Sequence, residues 1–550
     1  MSARPHRPIG LSSHVISRTL IVASFISGLA LLTPHMASAQ HPAASFVDQG
    51  TLVYLDPRTA GDIDPASDET ASNDLIARTV GEPLVAFDGA SDTTYRPVLA
   101  TRWTVNADHS VYTFYLRHGV RFHTGRCCLT AADVKYSIGR TITLNLAASY
   151  VFSRFMSNPN KQIKIIDPYT VEFDLGRPQP LFLGAVASFY TGLILDSQAL
   201  KAHQKNHDMG HDWAQYHDAG TGPYMIKSWQ IGQQVTLDRF PSYWGGWSGP
   251  HFSAIVDRTV VEATTRRELV ERGQADLTYN LTPQDYNQLR KNPRVQVVIG
   301  PSTQIDYLML NDSGPLASPA ARQGLSYAFP YDAYIKAAWL GYAKRAYGVL
   351  PSTILGYDPH MFHYTTDLNK AKALLAKAGV TSGSTLTYSY VSGQFYFQIA
   401  GEVLQAQLQQ IGINLKISQL DQASYNTMVY SNSGPSKLPN IMIQRWWPDY
   451  NDPWDYSDTL LDSAAAGAAG NNGGYYHNKQ VDALLAKMKT AGGEALIHYT
   501  AELLDLTTRV DPAGIWIDQP AQVVVAAHNL KGIVINPIAI ETYDFYSMHR

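Results

Sequence analysis

Hydrophobic residues recur at every second position in some segments, which predicts strands, and at every third or fourth position in others, which predicts helices. The two kinds of segment alternate along the chain. The clearest strand pattern is 111–116 (VYTFYL), which follows the shorter run 103–105 across an Asn-Ala-Asp turn and predicts a β-hairpin. The other predicted strands are 51–55, 170–174, 413–417 and a segment after Asn440. The predicted helices are 130–140, one beginning at Ser318, 367–378, 395–410, 478–489 and 494–508. Strands that alternate with helices indicate an α/β protein.

The N-terminal segment 1–39 has the pattern of a secretory signal peptide. Three arginines precede an apolar stretch of fourteen residues, 19–32, and segment 37–39 (ASA) supplies the small residues that a signal peptidase requires. A membrane-spanning helix needs about twenty apolar residues, so this stretch is too short for an anchor. We therefore expect cleavage after Ala39 and export of the mature chain.

The composition is that of a folded globular protein, with 45 % hydrophobic and 16 % charged residues in a chain of 550. At about 100–200 residues per domain, this length predicts roughly two to four domains. Three of the 43 basic residues lie in the signal, so the mature chain has 40 basic and 46 acidic residues, 40 − 46 = −6. A chain without a basic surplus argues against nucleic acid as a partner.

Two groups of reactive side chains leave alternatives open. Cys127 and Cys128 are the only cysteines, and because a disulfide between neighbours is strained, we expect two buried thiols or an oxidisable pair. His203, His207 and His211 recur every fourth residue, which on one helix would form a metal-binding face. The glycine before the third histidine is expected to end that helix, so we interpret the segment as polar surface and predict no metal.

Several motifs then occur in a fixed order along nearly the whole mature chain. They are YTFYLRHGVRFHTG at 112–125, LTAADVKYSIGR at 129–140, GTGPY at 220–224, AARQGLSYAFPYDAYI at 320–335 and WWPDYNDP at 446–453. Together they resemble the family 5 extracellular solute-binding proteins, the oligopeptide- and dipeptide-binding components of ABC importers. The resemblance implies an α/β, three-domain clamshell fold, the type II periplasmic-binding-protein fold, in which domain I is discontinuous.

The domain boundaries also follow from the resemblance. Domain I is expected to comprise 40–82, 206–306 and 529–550, domain II to comprise 83–205, and domain III to comprise 307–528. The ligand would be enclosed between domains I and III when a hinge closes.

The function implied by the resemblance is that of a periplasmic, monomeric binding protein, which captures peptides and delivers them to the permease subunits of an ABC importer. It would need no cofactor and would catalyse no reaction. One alternative is the same fold binding a metal chelate, haem, a sugar or an opine-like conjugate, because fold does not determine the ligand. A less favoured alternative is an exported hydrolase, for which the sequence offers no recognisable pair of nucleophile and base.

Four candidate ligand-binding residues lie in or beside the motif at 446–453. Asp449 matches the family's aspartate that pairs with the ligand's α-ammonium, although it could instead cap the following turn. Trp446 offers an apolar wall or belongs to the core of domain III. Arg445 stands where peptide binders have glycine, and on an alternating strand it should point away from Trp446, towards solvent or a ligand anion. Tyr450 is assigned to the same site.

Three further candidates come from other segments. Glu69 and Thr70 match a segment that offers backbone hydrogen bonds to the ligand in the family. Tyr150 is expected to line the domain II side of the site.

Overall fold

The computed structural model describes residues 50–67, 71–430 and 433–550. The signal-peptide prediction and the candidates Glu69 and Thr70 therefore lie outside the described residues. Within the described part of the chain, no helix has both the length and the apolarity needed to cross a membrane.

A seven-stranded mixed sheet collects strands from distant parts of the chain. Its central strand, Thr51–Asp56, runs parallel to Ala254–Thr259, with Thr51 opposite Ala254. In spatial order the strands are Val295–Gly300, Gln522–Ala527, Leu277–Tyr279, Thr51–Asp56, Ala254–Thr259, Gln234–Arg239 and Tyr224–Gln230. The chain leaves this sheet after its first strand and returns to it twice, so the body built on the sheet is discontinuous in sequence.

A second, six-stranded sheet is built from residues between 305 and 520. Its middle strands Ile305–Leu310 and Ile441–Trp446 are antiparallel, with Asp306 opposite Arg445. In spatial order the strands are Ala343–Arg345, Gly514–Pro520, Ile305–Leu310, Ile441–Trp446, Thr385–Val391 and Asn414–Leu420.

A four-stranded antiparallel sheet contains the predicted hairpin. Its strands, in spatial order, are Ala100–Val105, Val111–Leu116, Thr170–Asp174 and Ile163–Asp167. A short ribbon of Val85–Phe87 and Tyr95–Pro97 precedes it in the chain. The hairpin prediction is confirmed, because 111–116 pairs antiparallel with Ala100–Val105, with Trp103 opposite Phe114.

Helices connect and cover the sheets. They are Ala71–Val80, Ala131–Leu144, Tyr150–Ser153, Pro159–Gln162, Phe182–Val186, Ser197–His203, His211–Ala214, Ala263–Glu271, Pro283–Leu289, Pro319–Ala328, Tyr331–Trp339, Leu368–Lys377, Phe395–Gln410, Gln422–Val429, Pro453–Leu461, Lys479–Met488 and Gly493–Asp505. Most predicted helices are found within a few residues of their expected bounds. The helix expected over 130–140 continues to Leu144 and ends at Asn145, which adopts the left-handed conformation of a helix C-terminus.

The chain passes twice between the seven-stranded and six-stranded sheets, and both crossings are short. One links Gly300 to Ile305, and in the other only Ala521 separates the strands Gly514–Pro520 and Gln522–Ala527. Two short connections of this kind are where a hinge between two bodies would lie, if the lobes move as the family resemblance implies. The predicted fold class, α/β with a discontinuous first domain, is confirmed, while the individual domain boundaries stay predictions.

The structure decides between the two expectations for the cysteines and shows that the three histidines do not share one helix. Cys127 and Cys128 form a disulfide, with Cys127 exposed, so the expectation of two buried thiols is wrong and the pair is oxidised. His203 ends one helix and His211 begins another, so no continuous helix aligns them. His211 instead lies 2.8 Å from Asp64 through Nδ1, and the described residues contain no cluster of three metal-ligating side chains.

Candidate functional site

Asp449 lies in the loop between the strand Ile441–Trp446 and the helix Pro453–Leu461. Its carboxylate is buried, with the residue 8 % exposed, and it accepts hydrogen bonds from two tyrosine hydroxyls. Tyr150 donates to Oδ2 and Tyr190 donates to Oδ1. Within the part of the chain that the structure describes, no Lys, Arg or His side chain is paired with this carboxylate.

The electrostatics of Asp449 are those of a desolvated anion. Burial raises the pKa of the Asp449 carboxyl to about 6, although the hydrogen bonds from Tyr150 and Tyr190 act in the opposite direction. Asp455 lies beside it and accepts a 2.9 Å hydrogen bond from the Asp449 backbone N–H. Burial, followed by the charge of Asp449, raises the pKa of Asp455 as well. A bound cation would favour the ionised form of Asp449, because opposite charges attract strongly where water is excluded.

The end of the loop that carries Asp449 is fixed by the helix that follows it. The helix that follows is capped by Asp452, whose carboxylate accepts a 2.9 Å hydrogen bond from the backbone N–H of Trp454, and Pro453 occupies its first turn. The alternative role for Asp449 is to cap the turn before this helix, but its carboxylate bonds to Tyr150 and Tyr190, and the helix is capped by Asp452. The carboxylate of Asp449 is left to face the two tyrosines.

Three consecutive loop residues bond to one region of the chain, 92–190. Besides Asp449, the hydroxyl of Tyr450 accepts a 3.2 Å hydrogen bond from Arg154. The amide of Asn451 donates 3.0 Å hydrogen bonds to Asp92 and to a backbone carbonyl at 353. Hydrogen bonds from three consecutive side chains therefore fix the loop on the region that carries the four-stranded sheet.

Tyr450 is placed in a packing position. It is 1 % exposed and belongs to the apolar cluster of the four-stranded sheet, with its ring 5.9 Å from that of Phe155. Its neighbour Arg154 pairs with the carboxylate of Asp452. The binding role assigned to Tyr450 stays a prediction, and its visible contacts are those of an anchor for the loop.

Arg445 is already paired. Its Nε and Nη2 donate to the two carboxylate oxygens of Asp306 at 2.6 and 2.8 Å, a bidentate arrangement between neighbouring strands. The guanidinium also lies over the rings of Tyr396 and Trp339, 4.7 and 5.6 Å from their centroids. It lines a small cavity of about 40 Å³ beside residues 520–523, which include the second of the two short crossings.

Trp446 points to the opposite face of the sheet, as strand alternation predicts. It packs against a different apolar cluster, which includes Trp454 and Tyr456. Its indole N–H is buried and has no hydrogen-bond acceptor among the described residues. The contacts favour the core interpretation of Trp446, and its role as a ligand wall stays a prediction.

The structure therefore brings Tyr150 to Asp449 and keeps Arg445 apart from both, on its own carboxylate. Sequence reasoning missed Tyr190, which follows the helix Phe182–Val186 in an apolar run and is 3 % exposed. Nothing in that run distinguishes this tyrosine from a core residue.

Comparison with known proteins agrees with this architecture. Residues 94–468 match the family model described as bacterial extracellular solute-binding proteins, family 5, middle region. The chain belongs to the family 5 bacterial extracellular solute-binding proteins, so the predicted family is confirmed.

Two curated relatives and one solved structure illustrate the similarity. The glutathione-binding protein GsiB of Salmonella choleraesuis is 28 % identical over 499 residues, which is 88 % of this chain and 91 % of that protein. The probable D,D-dipeptide-binding periplasmic protein DdpA of Escherichia coli is also 28 % identical, covering 90 % and 93 % of the two chains. The periplasmic binding protein DppA of Helicobacter pylori in complex with the peptide STSA has a TM-score of 0.77 at 24 % identity, covering 91 % and 98 %.

Proposed function

We propose that this protein captures peptides at the Asp449 site and delivers them to an ABC-type importer. The observation that carries the proposal is the buried Asp449 carboxylate, which has two hydroxyl donors but no paired cation in the described part of the chain. A buried carboxylate is costly unless a cation compensates it. The α-ammonium of a peptide is a cation of suitable size, and the relatives named above are a glutathione-binding protein, a probable D,D-dipeptide-binding protein and a binding protein in complex with a peptide.

Arg445 gives little support to the alternative of an anionic, non-peptide ligand. Its guanidinium is satisfied by both oxygens of Asp306, so a ligand anion would have to compete with an existing bidentate pair. We therefore assign Arg445 to the structure around the hinge and place the ligand's charge recognition at Asp449.

The proposal includes the protein's location and mode of action. Segment 1–39 would direct export and be removed, leaving a monomeric periplasmic protein that carries solute without catalysing a reaction. Closure about the two short crossings would exclude water from the bound ligand and strengthen its polar contacts. N-terminal sequencing of the exported protein should begin at residue 40; intact protein recovered in the membrane would contradict this assignment.

The experiment that tests the peptide site begins with purified mature protein. Mass spectrometry of material released by denaturation identifies any co-purified ligand, and a panel of glutathione, a D,D-dipeptide and the tetrapeptide STSA supplies defined probes. Calorimetric titrations then compare each binding peptide with its N-acetylated form, in the wild type and in Asp449→Asn. We expect acetylation to weaken wild-type binding by about 2–5 kcal/mol and to have little further effect in the variant.

Asp332→Asn is the matched control, because it removes one carboxylate from an exposed position on the helix Tyr331–Trp339. Asp332→Asn should leave the affinities for the free and the N-acetylated peptide unchanged. Equal binding of free and acetylated peptide to the wild type would refute recognition of the amine by Asp449.

A further inference from the structure

A second cavity, of about 450 Å³, lies apart from the Asp449 site. Its walls come from the end of the helix Ala71–Val80, the short ribbon that includes Val85–Phe87, the segment 243–245 and the C-terminal segment 534–547. Neither Asp449 nor the two tyrosines that bond it line this cavity. Its volume is within the range of about 300–1,000 Å³ that is usual for small-molecule sites.

Two arginines face this cavity. Arg78 lies in the last turn of its helix and is partly buried, and Arg96 lies on the ribbon and is exposed. Within the described residues, neither guanidinium forms a hydrogen bond or an ion pair; Asp544 acts on Arg78 only at longer range. Burial, together with the neighbouring charge of Arg96, lowers the pKa of Arg78. A desolvated guanidinium without a bound acceptor is an unsatisfied cation, which favours an anionic partner.

The acidic groups of the cavity do not supply that partner. Glu82 is buried and accepts hydrogen bonds from Thr221, Tyr243 and Trp244 at 2.8–2.9 Å, so its oxygens are already occupied. Asp544 is the other lining carboxylate, and one of its oxygens accepts a 3.1 Å hydrogen bond from a backbone N–H. The formal charges of the two guanidiniums and the two carboxylates balance, but neither carboxylate is bonded to a guanidinium, so both cations keep free donors towards the cavity.

Aromatic rings form much of the remaining wall, and the segments that carry them are bonded to one another. The rings of Phe87, Phe189, Trp244 and Phe545 line the volume. The amide of Asn536 donates 2.8 Å hydrogen bonds to the carbonyls of residues 89 and 91, which ties the ribbon to the C-terminal segment. Aromatic walls on such a tied frame suit a flat apolar body carrying a charge at one end.

We propose that this cavity binds an organic monoanion, a carboxylate or sulfonate on an aromatic or similarly flat apolar body, with its charge on Arg78 and Arg96. The cavity shares no residue with Asp449, Tyr150 and Tyr190, although its wall residue Phe189 lies next to Tyr190, with ring centroids 5.4 Å apart. Its ligand would bridge the end of the first helix, the ribbon and the C-terminal segment, and would stabilise their arrangement by binding only the folded state.

The test uses 8-anilinonaphthalene-1-sulfonate, an aromatic monoanion that fluoresces when bound in an apolar site, titrated into the purified mature protein. We expect saturable binding at one site per chain. Arg78→Gln should weaken binding by about tenfold or more, the effect of losing one charge-assisted hydrogen bond. The exposed Arg96 should contribute less, so Arg96→Gln should weaken binding by about threefold.

Two controls separate this site from general apolar binding and from the peptide site. Arg102→Gln removes an exposed arginine that lies over the Tyr115 ring on the four-stranded sheet, and it should bind the probe like the wild type. Asp449→Asn should also bind the probe unchanged, whatever its effect on peptides. Arg78→Lys keeps a cation at the position and should recover part of the affinity; if Arg78→Gln fails to fold, Arg96→Gln and Arg78→Lys still test the site.

Equal probe affinity in the wild type, Arg78→Gln and Arg96→Gln would overturn the proposal, as would binding that never saturates. If the probe result fails but the protein still binds free peptide more tightly than N-acetylated peptide, the Asp449 proposal stands. If free and N-acetylated peptide bind equally while probe binding is normal, the Asp449 proposal fails and the cavity proposal stands.

Discussion

Replacing Asp449 with Asn should stabilise the unliganded protein at neutral pH. Burial raises the pKa of this carboxyl from 3.8 to about 6 in the native state, whereas the unfolded chain keeps the ordinary value. Between these two values the native state binds more protons than the unfolded state, so stability falls as pH rises through this window. The ionised carboxylate is thus a destabilising group in the unliganded protein above about pH 6.

The magnitude follows from the two pKa values. A difference of about two pH units corresponds to about 3 kcal/mol, which is fully expressed above about pH 7. At about pH 4.5 most of the penalty has disappeared, because the group is already protonated in the native state, and about 1 kcal/mol remains. Relief of the charge beside Asp455, whose pKa Asp449 also raises, acts in the same direction.

The assay is urea denaturation of ligand-free protein, followed by tryptophan fluorescence at about pH 7.5 and about pH 4.5. Asp449→Asn keeps the side-chain shape and removes the charge, so its free energy of unfolding should exceed that of the wild type by about 3 kcal/mol at the higher pH and by about 1 kcal/mol at the lower. The exposed control Asp332→Asn should show no such difference. An equal effect of Asp449→Asn at both pH values, or destabilisation at the higher one, would refute the reasoning.

Four further outcomes follow from the same contacts. Replacing Tyr150 or Tyr190 with Phe removes a hydrogen bond that lowers the pKa of Asp449, so the pH midpoint of peptide binding should rise. Wild-type affinity for a free peptide should increase up to about pH 6, as the carboxylate ionises, and decline above about pH 8, as the peptide amine loses its proton; a flat profile would contradict an ionic pair. Arg445→Gln leaves Asp306 buried without its cation and should lower the free energy of unfolding by about 3–5 kcal/mol, most of which Arg445→Gln combined with Asp306→Asn should restore. Small-angle scattering should show a smaller radius of gyration with a bound peptide than without, and equal radii would count against hinge closure.

Local sequence patterns predict the helices and strands well, because hydrophobic residues in each element recur at the spacing that is typical of that element. The helix Phe395–Gln410 has the predicted bounds, and the strand Ile441–Trp446 begins where the apolar run after Asn440 begins. The strand pattern also predicted that Arg445 and Trp446 face opposite sides of the sheet, and they pack against different apolar clusters.

Local sequence patterns do not predict which residues bond to the site residues. Tyr150 and Tyr190 bond to Asp449 across 299 and 259 residues of sequence. Arg445 meets Asp306 because the two lie opposite each other on adjacent strands, a pairing fixed by the register of the sheet. A single sequence carries no signal for that register, so it does not predict that Arg445 balances the buried carboxylate of Asp306.

The position of Asp449 links ligand binding to the docking of its loop. The carboxylate is desolvated because the loop packs onto the region that carries Tyr150 and Tyr190, so its pKa should return towards the ordinary value when that contact opens. At neutral pH the docked arrangement therefore carries a penalty of about 3 kcal/mol, equivalent to a factor of more than one hundred in population. An ammonium group placed on the carboxylate offsets this penalty in the docked arrangement only, so binding and docking must favour each other. The same feature that makes the unliganded site unfavourable would thus supply the differential affinity that the proposed closure requires.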